Sequence, residues 1–241
     1  MKPVLILENQ SPEQIAYLGT WLENNNIPYE VHNAAIHKQF PESINPYSAL
    51  AVMGGFMSAN DPLPTNRQAE ILILQAMNND IPVIGHCLGG QLMAKALGAK
   101  IVASPKPEIG WMPIEYTDNL EVKDWFGEEP TKKVMHWHYE TFALPHGARL
   151  LASSPYCSNQ AFAFGIHLAM QFHIEMDENK VEFWMLEDDD EWKANRGLYE
   201  SVQERSEILE GIEPFLQKHK KTADCIYSNW LKTTEFYDKI C

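Results

Sequence analysis

Short apolar runs separated by longer amphipathic stretches recur along the N-terminal half, and this alternation narrows the possible folds more than any other feature. Residues 3–8 (PVLILE), 28–32 (PYEVH), 49–55 (ALAVMGG) and 81–85 (IPVIG) read as strands, most of them apolar on both faces. Between them lie helix patterns. Ser11 as N-cap, Pro12 at the first helical position and Gln14 at the third open one helix, whose apolar face is Ile15, Leu18, Trp21 and Leu22 and which ends at Asn24–Asn26. Thr65 is placed to cap a second, running to about Asn79 with Ile71, Ile73, Leu74 and Met77 inward. A third leaves the strand at 81–85 and runs to Leu97, where Gly98 can terminate it. Strands alternating with helices imply βαβ units. The expected fold is α/β and doubly wound: a mostly parallel central sheet with helices on both faces.

Further along, residues 112–116, 132–138, 149–154, 160–165 and 167–173 are strand patterns so closely spaced that some must pair antiparallel. From Asp177 the chain reads as helical and charged, with residues 187–191 (EDDDE) an exposed acidic knot. No linker divides it, so residues 1–190 are expected to form the domain and 191–241 a helical C-terminal extension of it. Lys and Arg number 19 against 33 Asp and Glu, a net charge of −14, which argues against nucleic acid or an anionic membrane as partner. There is no signal-peptide pattern and no apolar run approaching the ~18–20 residues of a membrane span. The four cysteines form no C-x-x-C pair, so a zinc ribbon or thioredoxin motif is excluded and a reducing cytoplasm with free thiols is expected. No phosphate- or dinucleotide-binding glycine motif follows any strand, so no cofactor is expected. His136 and His138 alternate on one strand face, but with no third ligand at suitable spacing no metal site is expected either.

The most informative segment is Gly85-His86-Cys87-Leu88-Gly89-Gly90-Gln91. A buried strand ends in G-x-C-x-G and opens directly into a helix, the geometry of a nucleophile elbow with cysteine in place of serine. The helix N-terminus favours a thiolate, and its free N–H groups can receive an oxyanion. Without a base, Cys87 reads equally well as a small buried hydrophobe. Gln171-Phe172-His173-Ile174-Glu175 supplies that base: a histidine at a strand end, beside the elbow at the carboxyl edge of the sheet, with Glu175 close enough to orient it. Met53-Gly54-Gly55 is a turn after a buried strand that can aim backbone N–H groups into the same cleft.

Together these pieces resemble the class I (triad-type) glutamine amidotransferases, and among them stand-alone proteins similar to the amidotransferase domain of GMP synthetase. The matching residues are GHCLGGQ at 85–91, MGGFMSANDP at 53–62, EIGW at 108–111, HWHYETF at 136–142, LPHGARLLASS at 144–154 and QFHIE at 171–175, in the family's order. The resemblance implies Cys87 as nucleophile, His173 as base and Glu175 as its orienting partner. It implies an oxyanion hole from the Gly55 and Leu88 N–H groups. Gln91 and the backbone of Tyr139 and Glu140 stand where the family holds its substrate. Two positions depart: Phe56 where Gly-Gly-Pro is usual, implying a differently shaped loop, and Gly90 where a larger residue is common, implying a wider pocket.

Three functions are expected from such a chain. The first is glutamine amide hydrolysis through a γ-glutamyl thioester, with ammonia released to a separate synthetase subunit. The second is γ-glutamyl peptide hydrolysis without a partner. The third is a catalytically silent binding subunit, against which the intact Cys87, His173 and Glu175 set argues. The residues after Asp190 are too few for an ATP-using synthetase domain, so an acceptor is expected on another chain.

Overall fold

The computed structural model describes residues 1–9, 15–186 and 189–240. The helix start expected at Ser11–Gln14, residues 187 and 188 of the acidic run, and Cys241 lie outside the described residues. The elements follow the expected alternation. β1 (Val4–Glu8), α1 (Ala16–Asn24), β2 (Tyr29–Asn33), the short α2 (Ala34–His37), β3 (Ala49–Val52), α3 (Pro64–Asn78), β4 (Val83–His86) and α4 (Leu88–Ala96) form the doubly wound half. There follow β5 (Ile101–Pro113), β6 (Glu115–Tyr116), α5 (Glu121–Phe126), β7 (Lys133–Phe142), β8 (Arg149–Ser153), β9 (Ala161–Phe164) and β10 (His167–Met170). Helices α6 (Glu178–Trp184), α7 (Asp190–Asn195), α8 (Arg205–Glu210), α9 (Ile212–Trp230) and α10 (Tyr237–Ile240) complete the described chain.

Among the described residues the main sheet has eight strands in the order β2-β1-β3-β4-β10-β9-β8-β6. The first five run parallel, whereas β9, β8 and β6 are antiparallel additions. Period-two alternation decides what each face buries. In β1, Val4 and Ile6 join Leu18, Trp21 and Leu22 of α1 and Ile226, Tyr227 and Trp230 of α9. Leu5 and Leu7 face the other way, against Leu72, Ile73 and Ala76 of α3 and Leu92 and Met93 of α4. Strands buried on both faces need this double cover. No helix among the described residues is long and apolar enough to cross a membrane.

Three local expectations are corrected. α3 starts at Pro64 with Leu63 in the capping position and no side-chain cap, so Thr65 is not its cap. Its buried face is Ala69, Leu72, Ile73 and Ala76, while Ile71 and Leu74 are exposed. The two alanines let the helix sit close, and the 3.6-residue period then turns Ile71 and Leu74 outward. The strand expected at 112–116 is split: Met112 and Pro113 end the long β5, and only Glu115–Tyr116 joins the main sheet. β5 pairs with β7 in a separate two-stranded ribbon, and its register shifts between Ala103 and Glu108, across Pro105 and Pro107. Those prolines conceal the strand in the sequence, because proline disfavours regular pairing.

Gly90 is a packing residue and not a widening of the pocket. A Cβ there would lie 2.4 Å from the Met170 carbonyl oxygen, so glycine is what lets α4 approach β10. Gly90→Ala is therefore expected to cost about 1–3 kcal/mol, lowering Tm by several degrees in a chain of this size. A thermal scan showing an unchanged Tm would contradict this packing role.

Candidate active site

β1, β3, β4 and the segment after β10 end side by side, and Glu8, Met53, Cys87 and His173 line one cleft of about 400 Å³. This is the carboxyl edge of the parallel strands, where open α/β sheets form their sites. Cys87 caps α4 with φ 51° and ψ −109°, a left-handed backbone that a cysteine holds only under constraint. The constraint includes its N–H, which donates to the Met170 carbonyl at 2.9 Å. Its Sγ lies 3.7 Å from the Trp137 carbonyl and accepts from Gln171 Nε2 at 3.7 Å, and the Leu88 N–H is directed at it as well. The expected thiolate is corrected here. Burial, reinforced by the nearby Glu175 carboxylate, pushes the thiol up to about 12 and outweighs the helix-end N–H, Lys180 and Gln171. Burial thus favours the thiol over the thiolate, which calls for a base to take its proton.

His173 follows β10, and its N–H donates to the Met135 carbonyl of β7 at 2.9 Å. Its ring meets Trp184 edge-to-face at 4.7 Å between centroids. Nδ1 donates to Glu175 Oε1 at 2.6 Å, since a carboxylate can only accept, so in the neutral imidazole Nε2 carries the free lone pair. Lys180 Nζ donates to the same Oε1 at 2.9 Å. Burial alone would raise the Glu175 carboxyl, but Lys180, His173 and His86 together hold it well below the usual carboxylate range. Burial lowers His173, and Glu175 only partly opposes that. A Cβ on Gly54 would stand 2.8 Å from His173 Cε1 and 3.6 Å from the Cys87 Cβ. Glycine at 54 thus leaves a gap that the imidazole and the Cys87 Cβ both border.

The Gly54-Gly55 loop is pinned from several sides. Ser58 Oγ donates to Glu140 Oε2 at 2.6 Å, Asn60 Nδ2 to the Ile101 carbonyl at 3.2 Å, and Asn66 Nδ2 to the Ser58 carbonyl at 2.9 Å. Gly55 packs against the Leu88 side chain, and the two border the cleft together. Phe56 is 68% exposed at the mouth. Gln91 Nε2 donates to the Glu140 carbonyl at 3.1 Å and to Gln171 Oε1 at 3.3 Å. The Glu140 carbonyl also accepts from His138 Nδ1 at 3.2 Å. Tyr139 Oη donates to Asp189 Oδ2 at 2.9 Å. Cys87, His173, Gly55, Leu88, Gln91, Tyr139 and Glu140 all line the cleft, with Glu175 behind His173.

Several contributors escaped sequence reading. Gln171 had a signal in the alternation 171/173/175, which puts three polar side chains in line on an extended segment. Lys180 and Asp189 had none, because their approach depends on how α6 folds back. The third ligand-type group beside His136 and His138 also exists: Glu108 of β5 pairs in register with His138. Ligand atoms of these three buried residues lie within 4.8 Å of one another, a donor set of the kind that zinc accepts. Glu108 Oε2 is already committed, accepting from Gln160 Nε2 at 2.6 Å and lying 3.2 Å from His138 Nε2.

The doubly wound sheet thus carries a cysteine elbow and a histidine–carboxylate pair at its carboxyl edge. The family model described as "Glutamine amidotransferase class-I" matches residues 19–189, and the chain belongs to that family. It is 32% identical over 180 residues to the glutamine amidotransferase-like protein YfeJ of Salmonella typhimurium, covering 69% of this chain and 74% of that one. It is 30% identical over 142 residues to one subunit of the glutamine-hydrolyzing GMP synthase of Sulfurisphaera tokodaii, covering 56% of this chain and 71% of that one. A glutamine amidotransferase from Methylobacillus flagellatus superposes with a TM-score of 0.91 at 35% identity, over 96% of this chain and 95% of that one.

Burial pushes His86 down to about 4, His136 to about 3, His167 to about 4 and His219 to about 4. The unfolded chain, with histidines near 6.5, therefore binds more protons than the folded one below that pH. Their contribution is fully present above pH ~6.5 and lost as pH falls toward 4, at up to ~1.4 kcal/mol per pH unit for each histidine. Glu175, held low, adds loss of the same sign below its unfolded value. Urea midpoints are expected to fall steadily from pH 7 to pH 5; a flat profile would contradict neutral buried histidines.

Proposed function

We propose that this cleft hydrolyses the side-chain amide of glutamine through a γ-glutamyl thioester on Cys87, and that the ammonia passes to a separate synthetase subunit. One observation carries the reading: a constrained cysteine and a buried imidazole border the same gap at Gly54, with the Glu175 carboxylate 2.6 Å behind the imidazole. As glutamine enters, His173 Nε2 takes the Cys87 proton and Sγ attacks the amide carbon. The oxyanion is received by the Gly55 and Leu88 N–H groups. His173 returns the proton to the departing nitrogen, ammonia leaves, and the thioester remains. Water then attacks, His173 taking its proton, to give glutamate and the thiol. Glu175 keeps the Nδ1–H tautomer and balances the imidazolium. The backbone of Tyr139 and Glu140 holds the amino-acid end of the substrate, and Gln91 contacts it alongside.

Residues 191–241 are read as an extension of the same domain, because α9 supplies Ile226, Tyr227 and Trp230 to the core under β1. The partner is inferred from a relative that is itself named as a synthase subunit.

His173→Ala is expected to lower turnover by ~10²–10⁴-fold, as loss of a general acid–base does. Glu175→Gln should fold and lose less. Ammonia release from glutamine, measured with the purified protein and then with a co-purifying synthetase, should rise when the synthetase is present. Wild-type turnover by His173→Ala would refute the assignment of the base. Fast cleavage of γ-glutamyl peptides with glutamine ignored would replace the amidotransferase reading with the peptidase one.

A further inference from the structure

We propose that Lys180 is a positioning residue of this site: its ammonium, bound to Glu175 Oε1 alongside His173, offsets the carboxylate and keeps the imidazole in its neutral, proton-accepting form. This rests on the reading of Cys87, His173 and Glu175 given above. The geometry is specific. Lys180 is 4% exposed and Glu175 fully buried, and both His173 Nδ1 and Lys180 Nζ donate to one carboxylate oxygen, at 2.6 and 2.9 Å. Lys180 also sits 5.4 Å above the Trp184 ring, the same ring that packs on His173, and it reaches the wall of the cleft. α6 fixes it there, because Asp177 caps that helix by accepting from the Lys180 N–H at 2.8 Å.

Charge balance in this buried site favours the neutral imidazole. Within the Glu175–His173–Lys180 trio, the carboxylate is negative, the ammonium positive, and a neutral imidazole leaves the three uncharged. Adding a proton to His173 then places a net positive charge in a desolvated pocket, which is costly. Without the ammonium, carboxylate plus neutral imidazole carries a net negative charge, and protonating His173 relieves it. Among the described residues the other histidines facing the ring do not supply this balance, and Glu8, Asp189 and Glu191, which line the same cleft, are common to the wild type and the variants. His86 beside the elbow, His136 of β7 and His219 of α9 are held at about 4, 3 and 4 by burial and are uncharged at neutral pH. Burial favours the thiol on Cys87, and His138 faces the Glu140 carbonyl and Glu108. The direction found for His173, lowered by burial with Lys180 contributing, agrees with this. An imidazole that is already protonated cannot take the Cys87 proton, so a neutral His173 is the form from which the proposed reaction starts.

The test is an NMR titration of the His173 imidazole, assigned by its loss in His173→Asn, together with the acidic limb of kcat/KM for ammonia release from glutamine. Lys180→Met is expected to raise the His173 midpoint and the acidic limb together by at least about one pH unit, within the range one adjacent charge commands. Lys180→Gln, which keeps a hydrogen-bond donor and removes only the charge, should show the same rise and serves if the methionine variant does not fold. Lys180→Arg should restore the wild-type midpoint. The Lys180→Met, Glu175→Gln double variant should bring the midpoint back down, since no carboxylate is left to offset. A folded Lys180→Met or Lys180→Gln protein with an unmoved midpoint would overturn the proposal, as would a raised KM with the acidic limb in place. Full activity in His173→Asn would instead refute the role given to His173, while the titration in the other variants would still report on Lys180.

Discussion

The site depends on a backbone constraint: the chain reverses at Cys87 in a left-handed conformation while α4 is pressed against two strands. The Cys87 N–H is held by the Met170 carbonyl at 2.9 Å, and a Cβ on Gly89 or Gly90 would lie 2.0 or 2.4 Å from the Val52 or Met170 carbonyl oxygen. A non-glycine residue in such a region costs on the order of 1–3 kcal/mol and persists only when the surroundings over-determine it. Here β3 and β10 do so from either side. The consequence is that the sulfur is fixed above the sheet edge with the Leu88 N–H aimed at it.

The second half of the site is built on the first. β10 holds Cys87 through Met170 and, three residues later, delivers His173 to the same gap, while β7 touches both through the Trp137 and Met135 carbonyls. Burial then shapes the electrostatics in one direction. It disfavours a thiolate on Cys87 and an imidazolium on His173, and so favours a neutral pair. In the proposed reaction, charge develops as substrate arrives, where the loop N–H groups and Glu175 are placed to meet it. Preorganised dipoles in a dry cleft do more for a developing charge than for one already solvated.

Much of this was legible in the sequence because it rests on local rules. The elbow is a contiguous motif, His173 ends a strand pattern, and the double burial of β1 is visible as an uninterrupted apolar run. What was illegible depends on one element meeting another. The inward face of α3 is set by where Ala69 and Ala76 permit close packing, and apolarity alone pointed to Ile71 and Leu74. Glu108 became a neighbour of His138 through the pairing of β5 with β7, which two prolines disguised. The preference of a helix end for thiolate was a sound local inference, but burial beside a carboxylate overrode it. Lys180 lies only five residues beyond Glu175, yet nothing in that spacing announces an ion pair without the turn that precedes α6.

The central claim is that Cys87 forms a covalent bond with the γ-glutamyl group of the substrate, and it can be examined directly. The protein would be mixed with glutamine, quenched in acid during turnover, and analysed by intact mass followed by peptide mapping. The account predicts an adduct of one glutamyl group, carried by the peptide containing Cys87 and absent in Cys87→Ala. Turnover by Cys87→Ala, or an adduct confined to Cys157 or Cys225, would contradict it.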